Sequence, residues 1–151
     1  MRDRMMRPKT SEFEEKVVEI RRVSKKTRGG NSIGFTALAV VGDKKGQVGI
    51  GYGKAKDVSS AVSKAIAIGK KSLVNIKLRG DTIPYRVQDK YGSAKVLLMP
   101  APKGSGIIAG GTVRIIVELA GIKDISAKML GSNNKICNVR CTLKALQKFK
   151  V

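Results

Sequence analysis

One stretch of this sequence could hold a phosphate. Pro102-Lys-Gly-Ser-Gly-Ile-Ile-Ala-Gly-Gly111 leads into an apolar helical pattern. Glycines ahead of a helix start let backbone N–H groups close on an anion, and Lys103 adds charge. The run is no nucleotide-triphosphate loop, because no Gly-Lys-Ser/Thr follows at the required spacing. Nor does it match the dinucleotide pattern or supply an acid for a ribose. Chemistry beyond binding lacks its usual agents. The chain has no histidine, and Asp81, Asp89, Glu118 and Asp124 show no pairing that suggests a magnesium site. Neither cysteine lies in a charged glycine turn. Cys137 and Cys141, four apart on a predicted helix, make a poor disulfide and half a metal site. They read as reduced thiols of a cytosolic-type compartment, with no metal and no cofactor expected. The glycine run is therefore read as structural or RNA-contacting.

A second anion-seeking pattern is stronger. Arg21, Arg22, Lys25, Lys26 and Arg28 put five basic residues within eight positions, and Gly29, Gly30 and Asn31 follow. Lysine-rich surface loops are common, but the glycines would let main-chain N–H groups reach phosphate oxygens. This stretch is expected to be an RNA-contact loop. Farther on, Val48, Ile50 and Tyr52 alternate with Gly49, Gly51 and Gly53. The bulky face is expected to take a helix, leaving the bare face open to RNA or another backbone. Lys54 and Lys56 extend that edge with charge, and Lys45 stands in the preceding turn.

The elements that must position these residues follow from the pattern. Lys and Arg number 31 against 11 Asp and Glu, a formal charge of +20. A polyanion offsets such self-repulsion, and nucleic acid suits it better than a membrane, because the basic residues are spread along the chain. No apolar run is long enough to span a bilayer. Six aromatics and no tryptophan are too few for base-stacking platforms, so folded RNA is the better partner.

Residues 1–12 read as a charged tail without fixed structure. A strand is expected from near Lys16, after a possible helical turn. Phe35–Val41 and Gln47–Tyr52 form a hairpin across Gly42–Gly46. A helix follows on Val58, Ala61, Val62, Ala65, Ile66, Gly69 and Leu73, capped by Asp57 or Ser59 and ending around Val74. Asn75–Arg79 is read as a short strand, and Gly80-Asp81 as the seam between units. The second unit runs β-β-α-β-α: Ile83–Gln88, a turn at Asp89–Gly92, Ala94–Pro100, a helix on Val113, Ile116, Val117 and Ala120 stopped by Gly121, a strand over Asp124–Leu130, and a helix capped at Gly131–Asn134. The last helix lays Ile136, Val139, Leu143 and Leu146 on one stripe, with both cysteines turned away from it. The fold class is α+β, divided at residues 13–80 and 81–151.

Gly30, Phe35-Thr-Ala-Leu38, Val40-Val-Gly-Asp43, Gly46, Val48-Gly49 and Gly51-Tyr-Gly-Lys-Ala55 together resemble the small-subunit ribosomal protein S five family of bacterial and organellar type. Gly104–Gly111, Gly131-Ser132, Asn134 and Ile136 continue the likeness, which covers about Phe13 to Phe149. One departure is Asn31, where the family usually carries a longer basic or amide side chain. The resemblance implies a first domain similar to double-stranded-RNA-binding domains and a two-layer α/β second domain with a left-handed crossover, against the usual hand. It also implies binding to small-subunit ribosomal RNA, neighbours S four and S eight, nearby messenger RNA, and influence on decoding accuracy. The 24–31 loop is expected near the spectinomycin site. Lys103, Gly104, Ser105, Gly106 and Arg114 are expected at the contact with S four. A ribosome of the bacterial cytoplasm or of an organelle is the implied location, with no membrane and no obligate homo-oligomer. Rival readings are a free-standing double-stranded-RNA-binding regulator and a remnant of the small-molecule kinases that share the second-domain fold.

Overall fold

The computed structural model describes residues 12–149. The expected tail, Glu12 apart, lies outside them.

The chain opens on a long antiparallel pair, β1 (Glu14–Thr27) and β2 (Gly30–Gly42), followed by β3 (Gln47–Ala55), the helix α1 (Val58–Lys71) and the short β4 (Val74–Asn75). These strands form one sheet in the order β1-β2-β3-β4. Among the described residues no helical turn precedes β1, which starts two residues before the expected Lys16, and α1 ends at Lys71 rather than near Val74. The Asp57 side chain accepts from the Ser60 N–H, so Asp57 is the cap. The strand expected over Asn75–Arg79 is replaced by β4 and a tight turn in which Arg79 and Thr82 exchange backbone hydrogen bonds.

A second sheet holds β5 (Val87–Tyr91), β6 (Ala94–Pro100), β7 (Ile107–Ile108) and β8 (Ile125–Met129) in the order β5-β6-β8-β7. The helix α2 (Gly111–Ala120) joins the parallel strands β7 and β8, and α3 (Lys135–Gln147) ends the fold. Asp89, expected in a turn, lies within β5, and the turn falls instead between the paired Tyr91 and Ala94. Gly121 stops α2 with φ of 89°, a conformation that favours glycine. Asn134 caps α3 by accepting from the Ile136 N–H.

Which face of the first sheet meets what is decided at the glycines. A β-carbon on Gly49 or Gly51 would strike the carbonyl oxygens of Gly69 and Ala65 in α1. The bare face of β3 is thus the face that takes the helix, the reverse of the expectation, and Gly51 is buried beneath α1. Without side chains on this face, α1 sits close enough for backbone to touch backbone, with Ala37, Ala39, Ala61 and Ala65 as a thin apolar layer. The bulky face looks the other way. Leu38, Val40 and Val48 join Val113, Ile116, Leu119, Val96, Leu98 and Leu146 in one continuous core that reaches both sheets. At the end of α2, the Leu119 and Ala120 carbonyls accept from Lys44 and Gly46 at 2.9 and 3.0 Å, pinning that helix to the β2–β3 turn.

Candidate nucleic-acid interface

The expected loop at residues 21–31 is a correction as well as a confirmation of its charge. β1 and β2 stay paired through Thr27 and Gly30, so these residues belong to a hairpin with its turn at Arg28-Gly29. The third strand pairs with β2 only as far as Phe35. Residues 23–34 therefore continue alone as a two-stranded arm, projecting about 14 Å at the usual rise of a strand. Gly30 holds φ of 135°, and the Thr27 hydroxyl closes the turn by donating to the Gly30 carbonyl at 3.0 Å.

Partners in an antiparallel pair share a face, so the register sorts the basic residues. Arg21 opposite Thr36, and Lys25 opposite Ser32, lie on the face that continues toward Leu38 and the second sheet. Arg22 opposite Phe35, and Lys26 opposite Asn31, lie on the face that continues beneath α1. The arm is basic on both faces and at its tip. Arg21 is tied to Glu19 at 2.9 Å. Among the described residues no carboxylate pairs with Arg22, Lys25, Lys26 or Arg28, all of them exposed. Their charge is available to an outside anion.

Where the arm leaves the sheet, a cleft of about 330 Å³ is walled by Lys25, Lys54, Lys56 and Lys64. Lys64 lies on α1 and donates to the Lys54 carbonyl at 3.4 Å. The helical pattern sets Lys64, with Lys70 and Lys71, opposite the apolar stripe, facing solvent or something acidic, and does not bring it to the arm. Its position depends on α1 packing over β3, a contact that spacing alone does not reveal. A second hollow, about 290 Å³, is lined by Arg22, Val23, Ser24, Asn31 and Ile33. Lys45 stands apart in the β2–β3 turn, where its N–H is held by the Asp43 carboxylate at 2.8 Å. Gly51 lies under α1 and is removed from any contact surface.

The glycine run after β6 does not wait for a phosphate. The Gly106 N–H donates to the buried Asp124 carboxylate at 3.0 Å, and the Gly106 carbonyl accepts from Ile125. An acid already occupies the donor that a cradle would need. Lys103, Gly104 and Ser105 are exposed, with Gly104 and Gly106 at positive φ of 90° and 72°. Arg114 is exposed, but its Nε donates to Glu118 on its own helix at 3.1 Å. The other Glu118 oxygen takes Lys16 of β1 at 2.8 Å. These bonds from Lys16 and then Arg114 hold the Glu118 carboxyl below its ordinary range.

At the far end of the second sheet, Asp89 receives the Lys90 N–H at 2.8 Å and the ammonium groups of Lys148 and Lys144 at 3.3 and 3.7 Å. Burial works to raise its carboxyl, but these donors and charges outweigh it and leave it below the ordinary range. Cys141, expected to face away from the core, is fully buried, and its thiol donates to the Asp89 carbonyl at 3.3 Å. Burial, and then the Asp89 charge, push that thiol up. Cys141 is a core residue, unsuited to nucleophilic work.

The molecule thus carries a charged arm on a body of two sheets that share one core. Residues 13–77 match the family described as "Ribosomal protein S5, N-terminal domain", and residues 89–151 match "Ribosomal protein S5, C-terminal domain". The chain belongs to the ribosomal protein S5 family. It is 53% identical over 139 residues to "Small ribosomal subunit protein uS5" of Campylobacter jejuni strains 81-176 and RM1221, covering 92% of this chain and 95% of each relative. It is 48% identical over 146 residues to "Small ribosomal subunit protein uS5c" of Rhodomonas salina, covering 96% of this chain and 87% of that one. The S5 family assignment accounts for both sheets, since the two matched segments take in most strands of each.

Proposed function

We propose that this chain is a structural constituent of the small ribosomal subunit that binds ribosomal RNA and performs no catalysis. The observation that carries the reading is the coincidence of an S5 family match along nearly the whole chain with a projecting arm whose cations pair with no carboxylate among the described residues. The relatives are small-subunit proteins by name. Unpaired lysines and arginines gain from counterion release when they meet phosphates. The glycine run, with Asp124 on its N–H, supports a structural role over nucleotide binding.

The finer reading places Lys103, Gly104, Ser105, Gly106 and Arg114 against protein S four, with S eight and the messenger path nearby, in a bacterial or organellar ribosome. The exposed glycine turn and the solvent-facing side of Arg114 support a protein contact there. Sedimentation of the tagged chain in a ribosome gradient tests the main claim. Migration with small subunits is expected, and a chain that stays at the top while binding generic duplexes would point to the free-standing regulator. For the contact with S four, Gly106→Arg and Arg114→Leu are expected to change misreading several-fold in a reporter assay while subunit composition stays normal. Unchanged error rates in both would remove the accuracy role.

A further inference from the structure

Where the first sheet meets α3, a hollow of about 520 Å³ shares no residue with the two hollows beside the arm. Tyr52 of β3 and Ile68 of α1 belong to one wall. The other wall is a face of α3, where Arg140, Leu143 and Lys144 recur at helical spacing, together with Tyr91 of β5. Hydrogen bonds hold both walls in place. The Ser72 hydroxyl, at the end of α1, donates to the Ile50 carbonyl of β3 at 3.0 Å. Arg140 Nη1 donates to the Tyr91 hydroxyl at 3.2 Å, with the guanidinium 6.0 Å from the centre of that ring. Lys144 donates to the Lys90 carbonyl at 3.2 Å and lies 3.7 Å from the Asp89 carboxylate. Tyr52, Ile68 and Tyr91 are nonetheless 39, 45 and 37% exposed, an apolar surface that gains from being covered. No carboxylate lines the hollow, and among the described residues none pairs with Arg140.

We propose that this hollow is a binding site for a small aromatic anion, its ring against Tyr52, Ile68 and Tyr91 and its carboxylate or sulfonate on the Arg140 guanidinium. Small-molecule pockets of about 300–1,000 Å³ are mostly apolar, carry a few converging polar groups and favour the seams between packed units. The hollow meets each of those conditions. Its charge decides the sign of the ligand. Lys144 already has a carboxylate, so Arg140 is the cation left over, enough for one anionic group. A phosphodiester backbone fits worse, because phosphates gain from rows of cations and nothing from the apolar wall at Ile68 and Leu143. The site stands apart from the arm and from the ribosomal reading.

The test titrates the full chain with anilinonaphthalene sulfonate, an aromatic monoanion, and with the uncharged phenylnaphthylamine. The sulfonate is expected to fill a single site and to bind about tenfold more tightly than the neutral amine. Two of the three tyrosines line the hollow, so tyrosine emission should be quenched as it fills. Arg140→Gln should weaken the sulfonate by about tenfold and leave the amine unchanged. Ile68→Glu sets a carboxylate at an exposed lining position and should abolish sulfonate binding. Both side chains are exposed, and a circular dichroism spectrum like the parent's checks that each variant folds. Lys135→Gln removes one exposed charge of α3 outside the hollow and should change nothing. Binding at many equivalents, or an equal loss in Lys135→Gln and Arg140→Gln, would overturn the site and leave only the general attraction of a chain carrying +20. In small subunits carrying the chain, the difference between parent and Arg140→Gln should persist. Its disappearance there would give the hollow to a neighbouring protein or RNA and overturn the small-ligand assignment. If the chain does not enter subunits, the ribosomal reading falls and the titration of the free chain alone decides.

Discussion

Gly51 shows how much a missing side chain can decide. Alternation along β3 reveals two unlike faces, but alternation carries no label for which face meets the helix. The apolar bulk of Val48, Ile50 and Tyr52 points to a core; Val48 is buried in the one shared with the second sheet and Ile50 packs against it, while Tyr52 stays exposed. The helix instead lies on the glycines, because only there can the Ala65 carbonyl touch strand backbone. Gly51→Ala is therefore expected to unfold or loosen the first sheet, at a cost of about 1–3 kcal/mol or more, read as a lowered denaturant midpoint. Gly104→Ala, whose β-carbon would meet nothing within 4 Å, should cost only the strain of its positive φ, about 1 kcal/mol. Equal losses at both positions would contradict the close helix packing. Asp89 gives a residue-scale pH effect. Its folded-state carboxyl lies below the ordinary range. Its stabilisation is thus complete above the unfolded value of about 3.9 and is lost as pH falls through the lower folded value. Asp89→Asn should lower stability at neutral pH by about 2 kcal/mol and flatten its fall in acid. A variant as acid-sensitive as the parent would place that sensitivity elsewhere, with Glu118 the next group to change.

At the scale of elements, the helices are legible in the sequence and the long hairpin is only half so. α2 shows both its stripe and its stop, since Val113, Ile116, Val117 and Ala120 are all buried and Gly121 takes the left-handed conformation. The α3 stripe is legible at Val139 and Leu146, while burial of Cys141, Asn138 and Thr142 is not. That helix is covered on a wider arc than one apolar stripe suggests. β7, two residues long, leaves no periodicity to read. The arm reads as a loop because Lys25, Lys26 and Arg28 lack the apolar alternation of a half-buried strand. Among the described residues no element covers either of its faces, so hydrophobicity cannot mark it, and its pairing is visible only in register. Trimming the arm by removing Lys25–Ser32 and closing Ser24 to Ile33 with an Asn-Gly turn should leave the fold intact, because β3 and α1 contact the sheet from Phe35 onward. The circular dichroism spectrum and unfolding midpoint should stay near those of the parent, while RNA affinity at moderate salt falls at least tenfold. A collapse of the midpoint would show that the arm is a structural part of the sheet.

For the whole molecule, two family segments share one interior. Leu38, Val40 and Val48 of the first sheet pack with Leu119, Ile116 and Val113 of α2, and the Leu119 and Ala120 carbonyls fix the β2–β3 turn by hydrogen bonds. The fit is close: a β-carbon on Gly42 would run into the Leu119 carbonyl, and one on Gly121 into that of Lys44. Lys16 on β1 reaches Glu118 on α2 across the same junction. A body that carries +20 needs such a continuous core, because screening by salt or RNA is what reduces its self-repulsion. The consequence is cooperativity. With tryptophan placed at Tyr52→Trp in one sheet and at Tyr85→Trp beside the other, both probes should report the same denaturant midpoint, and added salt should raise it. Leu119→Ala removes a side chain with no exposure and should lower both midpoints together by about 2–5 kcal/mol of stability. If the sheets were independent, only the tryptophan near the second would follow the mutation. Two separated transitions in the parent chain would show that the shared core does not couple the halves, and that the arm and the Gly104–Gly106 turn act on independently moving bodies.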